Sequence, residues 1–271
     1  NLTFPRIPVD VERAVSQLQD GLHHVETPVS RGDHGQSING LIWMGSKEFM
    51  LDQIQRRLEE GFKTLKMKVG AISWEDELTL LKGIRERFSA SELILRVDAN
   101  GAFDRSSIVS VVHELAALEV HSIEQPLPPT DREGLAEICA SSPVPIALDE
   151  SLIGIFSAVE KELLLDVVRP QYIILKPSFI GGWHGADEWI DCADARGIAW
   201  WATSALESTV GMNAIAQWTA TKQLHLPQGL GTGSLYTNNI PGPLKVKNGE
   251  LWTVGDVQKL WSFPDSFTPF K

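Results

Sequence analysis

Cysteine is all but missing from this chain, and so is any surplus of positive charge. The two cysteines, Cys139 and Cys192, sit in the helical patterns Ala-Glu-Ile-Cys-Ala and Ile-Asp-Cys-Ala-Asp. Buried, reduced thiols are expected there, as in a cytoplasmic protein. The formal net charge of −11 argues against a nucleic-acid-binding surface, which is normally basic. No apolar run approaches the ~20 residues that a membrane span needs, so no membrane partner is expected. The first residues, Asn1-Leu2-Thr3-Phe4-Pro5, lack the character of a signal peptide. No Gly-x-Gly-x-x-Gly follows the first predicted strand, which speaks against a dinucleotide-binding open sheet. The seven histidines form no cluster with ligand spacing. With 43% hydrophobic residues in 271, the chain can bury a sizeable core, as one large barrel or two ordinary domains.

What the chain does have is a series of charged residues that close short apolar runs. Leu93-Ile94-Leu95-Arg96-Val97 ends in Asp98, His121-Ser122-Ile123 in Glu124, and Pro145-Ile146-Ala147-Leu148 in Asp149, at steps of 26 and 25 residues. Lys66 and Lys68 close an earlier run, Lys68 lying 30 residues before Asp98, and Lys176 closes a later one 27 residues after Asp149. Such steps suit one strand plus one helix of a ~30-residue βαβ unit. Strands are predicted at 38–43, 62–69, 93–98, 121–124, 144–149, 172–176, 198–203 and, more weakly, 228–231. Helices are predicted near 47–60, 74–88, 105–118, 132–140, 155–160, 185–196 and 210–221. The fold class is therefore a parallel (β/α)7β barrel of the TIM type over 37–242. Lys, Asp, Glu, Asp and Lys then arrive at the strand C-terminal ends, where such barrels carry their chemistry.

Three hard oxygen ligands, Asp98, Glu124 and Asp149, call for a divalent cation such as magnesium, with manganese as an alternative. A proton α to a carboxylate is very weakly acidic, because its removal puts a second negative charge on the same group. A divalent cation offsets that charge, and a lysine can take the proton. Any one of these acids could simply cap the helix that follows it. Capping does not account for three at even spacing, bracketed by lysines. Lys66 and Lys68 are two apart on a strand and share a face, which must be the barrel interior since Leu65, Met67 and Val69 face the helices. Two adjacent ammonium groups are expected to depress each other's pKa. Lys68, nearer the strand end, is the candidate base, and Lys66 tunes it and contacts the substrate carboxylate. Lys176 comes from the opposite wall. Alone, a Lys-x-Lys pair could equally be a solvent-facing edge strand. Arg96 shares a strand face with Asp98 and pairs either with this charged group or in a structural ion pair. Asn100 and Gln125 lie beside ligands and can orient them. Ser204 and Glu207-Ser208 sit at a strand-to-helix turn whose free N–H groups could bind an anion. Gly231 and Gly233 allow close backbone approach, although they could be ordinary loop glycines. Trp43, at the end of strand one, could line the pocket.

Lys66-Met67-Lys68, Arg96-Val97-Asp98-Ala99-Asn100-Gly101, Ile123-Glu124-Gln125-Pro126, Leu148-Asp149-Glu150-Ser151 and Leu175-Lys176-Pro177 together resemble the enolase superfamily, muconate-lactonizing subgroup. The resemblance runs from Ile38 to Pro243. Ile38 to Gly45, Thr203 to Ser208 and Gly229 to Asn239 are similar to the o-succinylbenzoate synthase family of menaquinone biosynthesis. That resemblance implies dehydration of 2-succinyl-6-hydroxy-2,4-cyclohexadiene-1-carboxylate to 2-succinylbenzoate. Ser204, Gly231 and Gly233 would then hold the succinyl carboxylate, and Lys176 would place its cation over the enediolate or ring. Two other readings stay open. One is a racemase of N-succinylamino acids or an epimerase of dipeptides, with Lys176 as the second acid–base group. The other is a non-catalytic barrel that binds metal or a partner. The superfamily also implies an N-terminal capping domain. Only about 36 residues precede strand one. Residues 1–36 are expected to supply a remnant of the cap and a connecting helix over Pro8 to Leu22. Residues 243–271, with Trp252 and Trp261, are expected to return toward the cap.

Overall fold

Short strands that alternate a helix-facing residue with a barrel-facing one determine this fold. The computed structural model describes residues 35–222, 224–232, 236–237, 239 and 241–253. After a two-residue strand β1 (Gln36–Ser37) come β2 (Gly40–Ile42), β3 (Thr64–Lys68), β4 (Ile94–Asp98), β5 (Ser122–Glu124), β6 (Ile146–Leu148), β7 (Tyr172–Leu175) and β8 (Ala199–Ala202). Strands β2 to β8 form one sheet in sequence order, each parallel to the next. Helices α1 (Lys47–Glu59), α2 (Trp74–Arg85), α3 (Ile108–Ala117), α4 (Arg132–Ser141), α5 (Ala158–Val168), α6 (Gly182–Asp194) and α7 (Thr209–Ala220) connect or follow them.

The curled sheet closes on itself through Gln228 and Gly229, which make single parallel bridges to Ile38 and Thr203. The predicted eighth strand, Gln228 to Gly231, is reduced to these two bridges. Gln228 compensates with its own amide. Its Oε1 accepts from Ala202 N at 2.7 Å and its Nε2 donates to Leu226 O at 2.6 Å.

Two apolar layers follow from the alternation. Leu65, Met67, Leu95, Val97, Ile123, Ile146, Leu148, Ile173 and Leu175 belong to the large cluster between strands and helices. Ala147, Ile174 and Trp201 form a small second cluster, against which Tyr172 and Leu226 pack. Cys139 and Cys192 are buried free thiols, and burial pushes Cys139 up to about 12. No described helix is long and apolar enough to cross a membrane.

Side-chain caps set several helix starts. Ser46, Ser73, Ser157 and Asp131 accept from the N–H of Phe49, Asp76, Glu160 and Gly134. The Ser157 cap corrects one expectation. The helix predicted near Ile155 to Glu160 instead starts at Ala158 and runs to Val168, its apolar residues Leu164, Leu165 and Val168 buried against the barrel. It ends with Arg169 left-handed at φ 52°, just before Pro170.

Beyond the barrel, β9 (Leu244–Lys247) and β10 (Glu250–Thr253) form an antiparallel hairpin, and β10 pairs with β1. This hairpin caps the end at which the strands begin. The predicted connecting helix over Pro8 to Leu22, and Trp261, lie outside the described residues. Gln228→Ala leaves the Ala202 N–H buried without its acceptor at the barrel seam. It is expected to cost about 1–3 kcal/mol of unfolding free energy, read as a lower denaturation midpoint in urea. An unchanged midpoint would show that the seam does not depend on this amide.

Candidate active site

Strand register brings the charged residues together. Lys68 is level with Asp98, and Asp98 with Glu124, across β3, β4 and β5. Lys66 Nζ lies 3.0 Å from Asp98 Oδ2 and 2.7 Å from Glu124 Oε1, so the two oxygens are no farther apart than the sum of those distances. Lys68 Nζ donates to the same Asp98 oxygen at 2.8 Å. From the other side of the barrel, Lys176, which follows β7, pairs closely with Asp149, which follows β6. Asp98, Glu124 and Asp149 are 1%, 1% and 2% exposed, so each carboxylate needs a partner. The lysines provide it.

The electrostatics sort these groups. Burial disfavours the Asp98 carboxylate, yet Lys66 and Lys68 outweigh it and hold its pKa well below the usual carboxylate range. Burial would likewise strip the proton from Lys66, but Asp98, Glu124 and Asp149 together keep its pKa high. The expected mutual depression by two ammonium groups is therefore overruled at Lys66, where three carboxylates dominate its surroundings. Lys176 is also raised, with burial opposed by Asp149 and Glu124. Glu124 goes the other way. Burial first, then the neighbouring Asp98 charge, push its pKa well above the ordinary value.

Around this group, Gln125 is fully buried with φ 39°, an uncommon conformation for its type. Its amide explains why the turn is kept. Oε1 accepts from Asp149 N and Ser151 N, both at 3.1 Å, and Nε2 donates to Leu127 O and Ser151 Oγ, both at 2.9 Å. Gln125 thus fixes the backbone that carries Asp149. Asn100, at φ 46°, accepts from Lys68 Nζ at 2.6 Å through Oδ1. The Trp43 ring lies 5.6 Å from the Lys68 nitrogen. Arg96 forms no ion pair among the described residues. Its guanidinium stacks 3.8 Å over the Trp201 ring and donates to Pro227 O at 2.8 Å. Burial lowers Arg96 to about 10, against the opposing field of Glu124.

The predicted anion turn after β8 is already committed. Ser204 Oγ pairs with Thr232 Oγ1 and accepts from Leu206 N at 3.3 Å. The Ala205 N–H goes to Glu207 Oε2 at 2.7 Å, and the Thr209 N–H to Asn239 Oδ1 at 2.8 Å. Gly231 leaves room for the Asn39 carbonyl, 3.1 Å from where a Cβ would stand. Gly233 lies outside the described residues. Two clefts, of about 310 and 450 Å³, open at the strand-start end, lined by residues such as Trp200, Gln36 and His225. None of the charged residues above lines them.

Glu150 and Trp201 are not among the site residues that the sequence predicts. Glu150 immediately follows Asp149, and a second acid at a strand end was a readable signal. Nothing local marked Trp201 as the platform for Arg96, because that pairing crosses the barrel.

A model of the enolase C-terminal domain-like family matches residues 50–255. The chain belongs to that family. It is 49% identical over 250 residues to an o-succinylbenzoate synthase of Desulfotalea psychrophila, covering 92% of this chain and 68% of the relative. An N-succinylamino acid racemase of Amycolatopsis is 30% identical over 206 residues, covering 74% of this chain and 53% of the relative. Among solved structures, MenC from Desulfotalea psychrophila superposes with a TM-score of 0.79 at 49% identity, covering 86% of this chain and 64% of that one. The chain thus spans roughly half to two thirds of the length of these enolase-family relatives.

Among the described residues, no three His, Cys, Asp or Glu side chains already close on one point as a cation site. The lysines hold the carboxylates instead. The donor set nevertheless suits a hard divalent cation. Among the described residues Glu124 Oε2 is buried with no partner, and the pKa of Glu124 is raised where that of Asp98 is lowered. Asp98, Glu124 and Asp149 are the residues that could hold such an ion. Because the folded pKa of Glu124 is raised, its neutral form contributes stability below about pH 4.5 that is lost as pH rises through the folded value. Without divalent cations, the melting temperature is expected to fall as pH rises through that window, and added magnesium to reverse the fall. Magnesium binding should also release protons, seen as a calorimetric enthalpy that changes with the ionisation enthalpy of the buffer. A flat pH profile with no buffer dependence would contradict the assignment of Glu124.

Proposed function

We propose that this chain is the catalytic barrel of a magnesium-dependent o-succinylbenzoate synthase. Its substrate would be 2-succinyl-6-hydroxy-2,4-cyclohexadiene-1-carboxylate, dehydrated to 2-succinylbenzoate. The 49% identity to the Desulfotalea psychrophila synthase supports this reading over the others. The geometry supports the chemistry, since amines from opposite walls reach one carboxylate cluster. A non-catalytic barrel has no use for three lysines set against buried acids.

Asp98, Glu124 and Asp149 would hold the magnesium ion. When bound, the ion supplies positive charge against the second negative charge that develops on the substrate carboxylate as its α-proton leaves. Lys68 in its neutral form takes that proton. The resulting ammonium then protonates the departing hydroxyl as the carbon–oxygen bond breaks, and the ring becomes aromatic with loss of one water. Proton and hydroxyl can leave from one face of the ring, so one group serves both steps. Lys176 stays protonated and contributes charge alone, which its raised pKa favours. Lys66, also held protonated, supports the substrate carboxylate.

The 30% identity to the Amycolatopsis racemase favours a second reading, in which the same lysines exchange an α-proton on an N-succinylamino acid. Incubation in deuterated water separates the two. A racemase washes deuterium into the α-carbon of its substrate, whereas the synthase yields an aromatic product that absorbs in the ultraviolet.

The division of labour between lysines is tested in the protein at its full natural length. Lys68→Arg keeps the charge but removes a usable base, and turnover should fall by about 10²–10⁴-fold while magnesium still binds. Lys176→Arg should also impair turnover severely, because a planar guanidinium does not reproduce a compact ammonium. Near-normal dehydration by Lys68→Arg, with turnover lost in Lys176→Arg, would put the base on the other wall.

A further inference from the structure

Glu150 opens the short 3-10 turn Glu150–Leu152 directly after Asp149. Its Oε1 accepts from Asn100 Nδ2 at 2.8 Å, while its Oε2 is buried with no partner among the described residues. Asn100 in turn presents Oδ1 to Lys68 Nζ at 2.6 Å. An amide has a donor end and an acceptor end, and here the neighbours dictate which is which. The reversed amide would set oxygen against oxygen at Glu150 and N–H against ammonium at Lys68. The Asn100 backbone is anchored as well, since its N–H donates to Asp98 Oδ1 at 3.2 Å. Asn tolerates the left-handed φ of 46° that this turn requires.

Lys68 thus has two fixed acceptors, Asp98 Oδ2 at 2.8 Å and Asn100 Oδ1 at 2.6 Å. A neutral primary amine carries two N–H groups and one lone pair. With both N–H groups committed to these acceptors, the lone pair is directed away from them. After proton transfer the same position holds the new N–H. We propose that Glu150, acting through Asn100, is a positioning residue that fixes the Lys68 nitrogen so that this third position stays free for the substrate. The inference rests on the reading of Lys68 as the base.

The test uses Glu150→Ala, Asn100→Ala, the double variant and Glu150→Gln in the protein at its full natural length. Each alanine variant should lose about 10-fold or more in kcat for dehydration, with KM within about 3-fold. The double variant should be no more than about 2-fold worse than the poorer single one, because both act through one chain of hydrogen bonds. Glu150→Gln keeps an acceptor oxygen for Asn100 and should lose less than Glu150→Ala. Magnesium affinity of Glu150→Ala, measured by calorimetry, should stay close to that of the parent protein. A crystal structure of Glu150→Ala should show the Asn100 amide turned and Lys68 released from it. Multiplicative losses in the double variant, or an unchanged kcat in Glu150→Ala, would overturn the proposal. So would a large loss of magnesium affinity, which would make Glu150 a ligand. If the parent protein neither dehydrates the cyclohexadiene substrate nor exchanges α-protons, the reading of Lys68 fails. The crystal structure then decides the positioning alone, and an unmoved Lys68 in Glu150→Ala would overturn it.

Discussion

Burying Asp98, Glu124 and Asp149 at the mouth of one barrel is the constraint on which the rest of this structure depends. Three carboxylates in so small a volume repel one another and have lost most of their water. Lys66 compensates two of them at once, Lys68 shares Asp98, and Lys176 takes Asp149. The balance is uneven, because Glu124 has a raised pKa and an oxygen without a partner among the described residues. In the proposed site, a divalent cation would offset that residual imbalance. A site neutral in every part would gain little by binding one.

The surrounding protein holds this group in register. Parallel pairing sets Lys68, Asp98 and Glu124 level, and Gln125 ties the turn after β5 to the backbone of Asp149. The Asn100–Glu150 pair links the β4 wall to the β6 wall beside Lys68. Polar side chains at the ends of neighbouring strands therefore brace one another across the barrel mouth. The opposite end is closed differently, by the β9–β10 hairpin against β1 and by the Gln228 seam.

Much of this was legible in the sequence for a simple physical reason. A strand ends where its backbone leaves the sheet, and a charged residue at the end of an apolar run marks that point. Asp98, Glu124, Asp149, Lys68 and Lys176 could therefore be placed at one end of a parallel barrel from spacing alone. Features that depend on contacts between distant strands were not legible. Arg96 stacks on Trp201 and pairs with no acid among the described residues, and the eighth strand shrinks to two bridges supplemented by the Gln228 side-chain amide. The Ser204 turn looked open to an anion, but Glu207 and Asn239 already take two of its N–H groups. The helix predicted over 155–160 lies at Ala158–Val168, because the Ser157 cap sets its start and buried Leu164, Leu165 and Val168 carry it on.

The most direct test is a crystal structure of the full-length protein grown with magnesium and 2-succinylbenzoate. One octahedral ion should sit with an oxygen from each of Asp98, Glu124 and Asp149 at about 2.1 Å, with Lys68 and Lys176 on opposite sides of the bound product. Carboxylates more than ~8 Å apart could not share one ion. That result, or an ion bound away from these three residues, would contradict the proposed site.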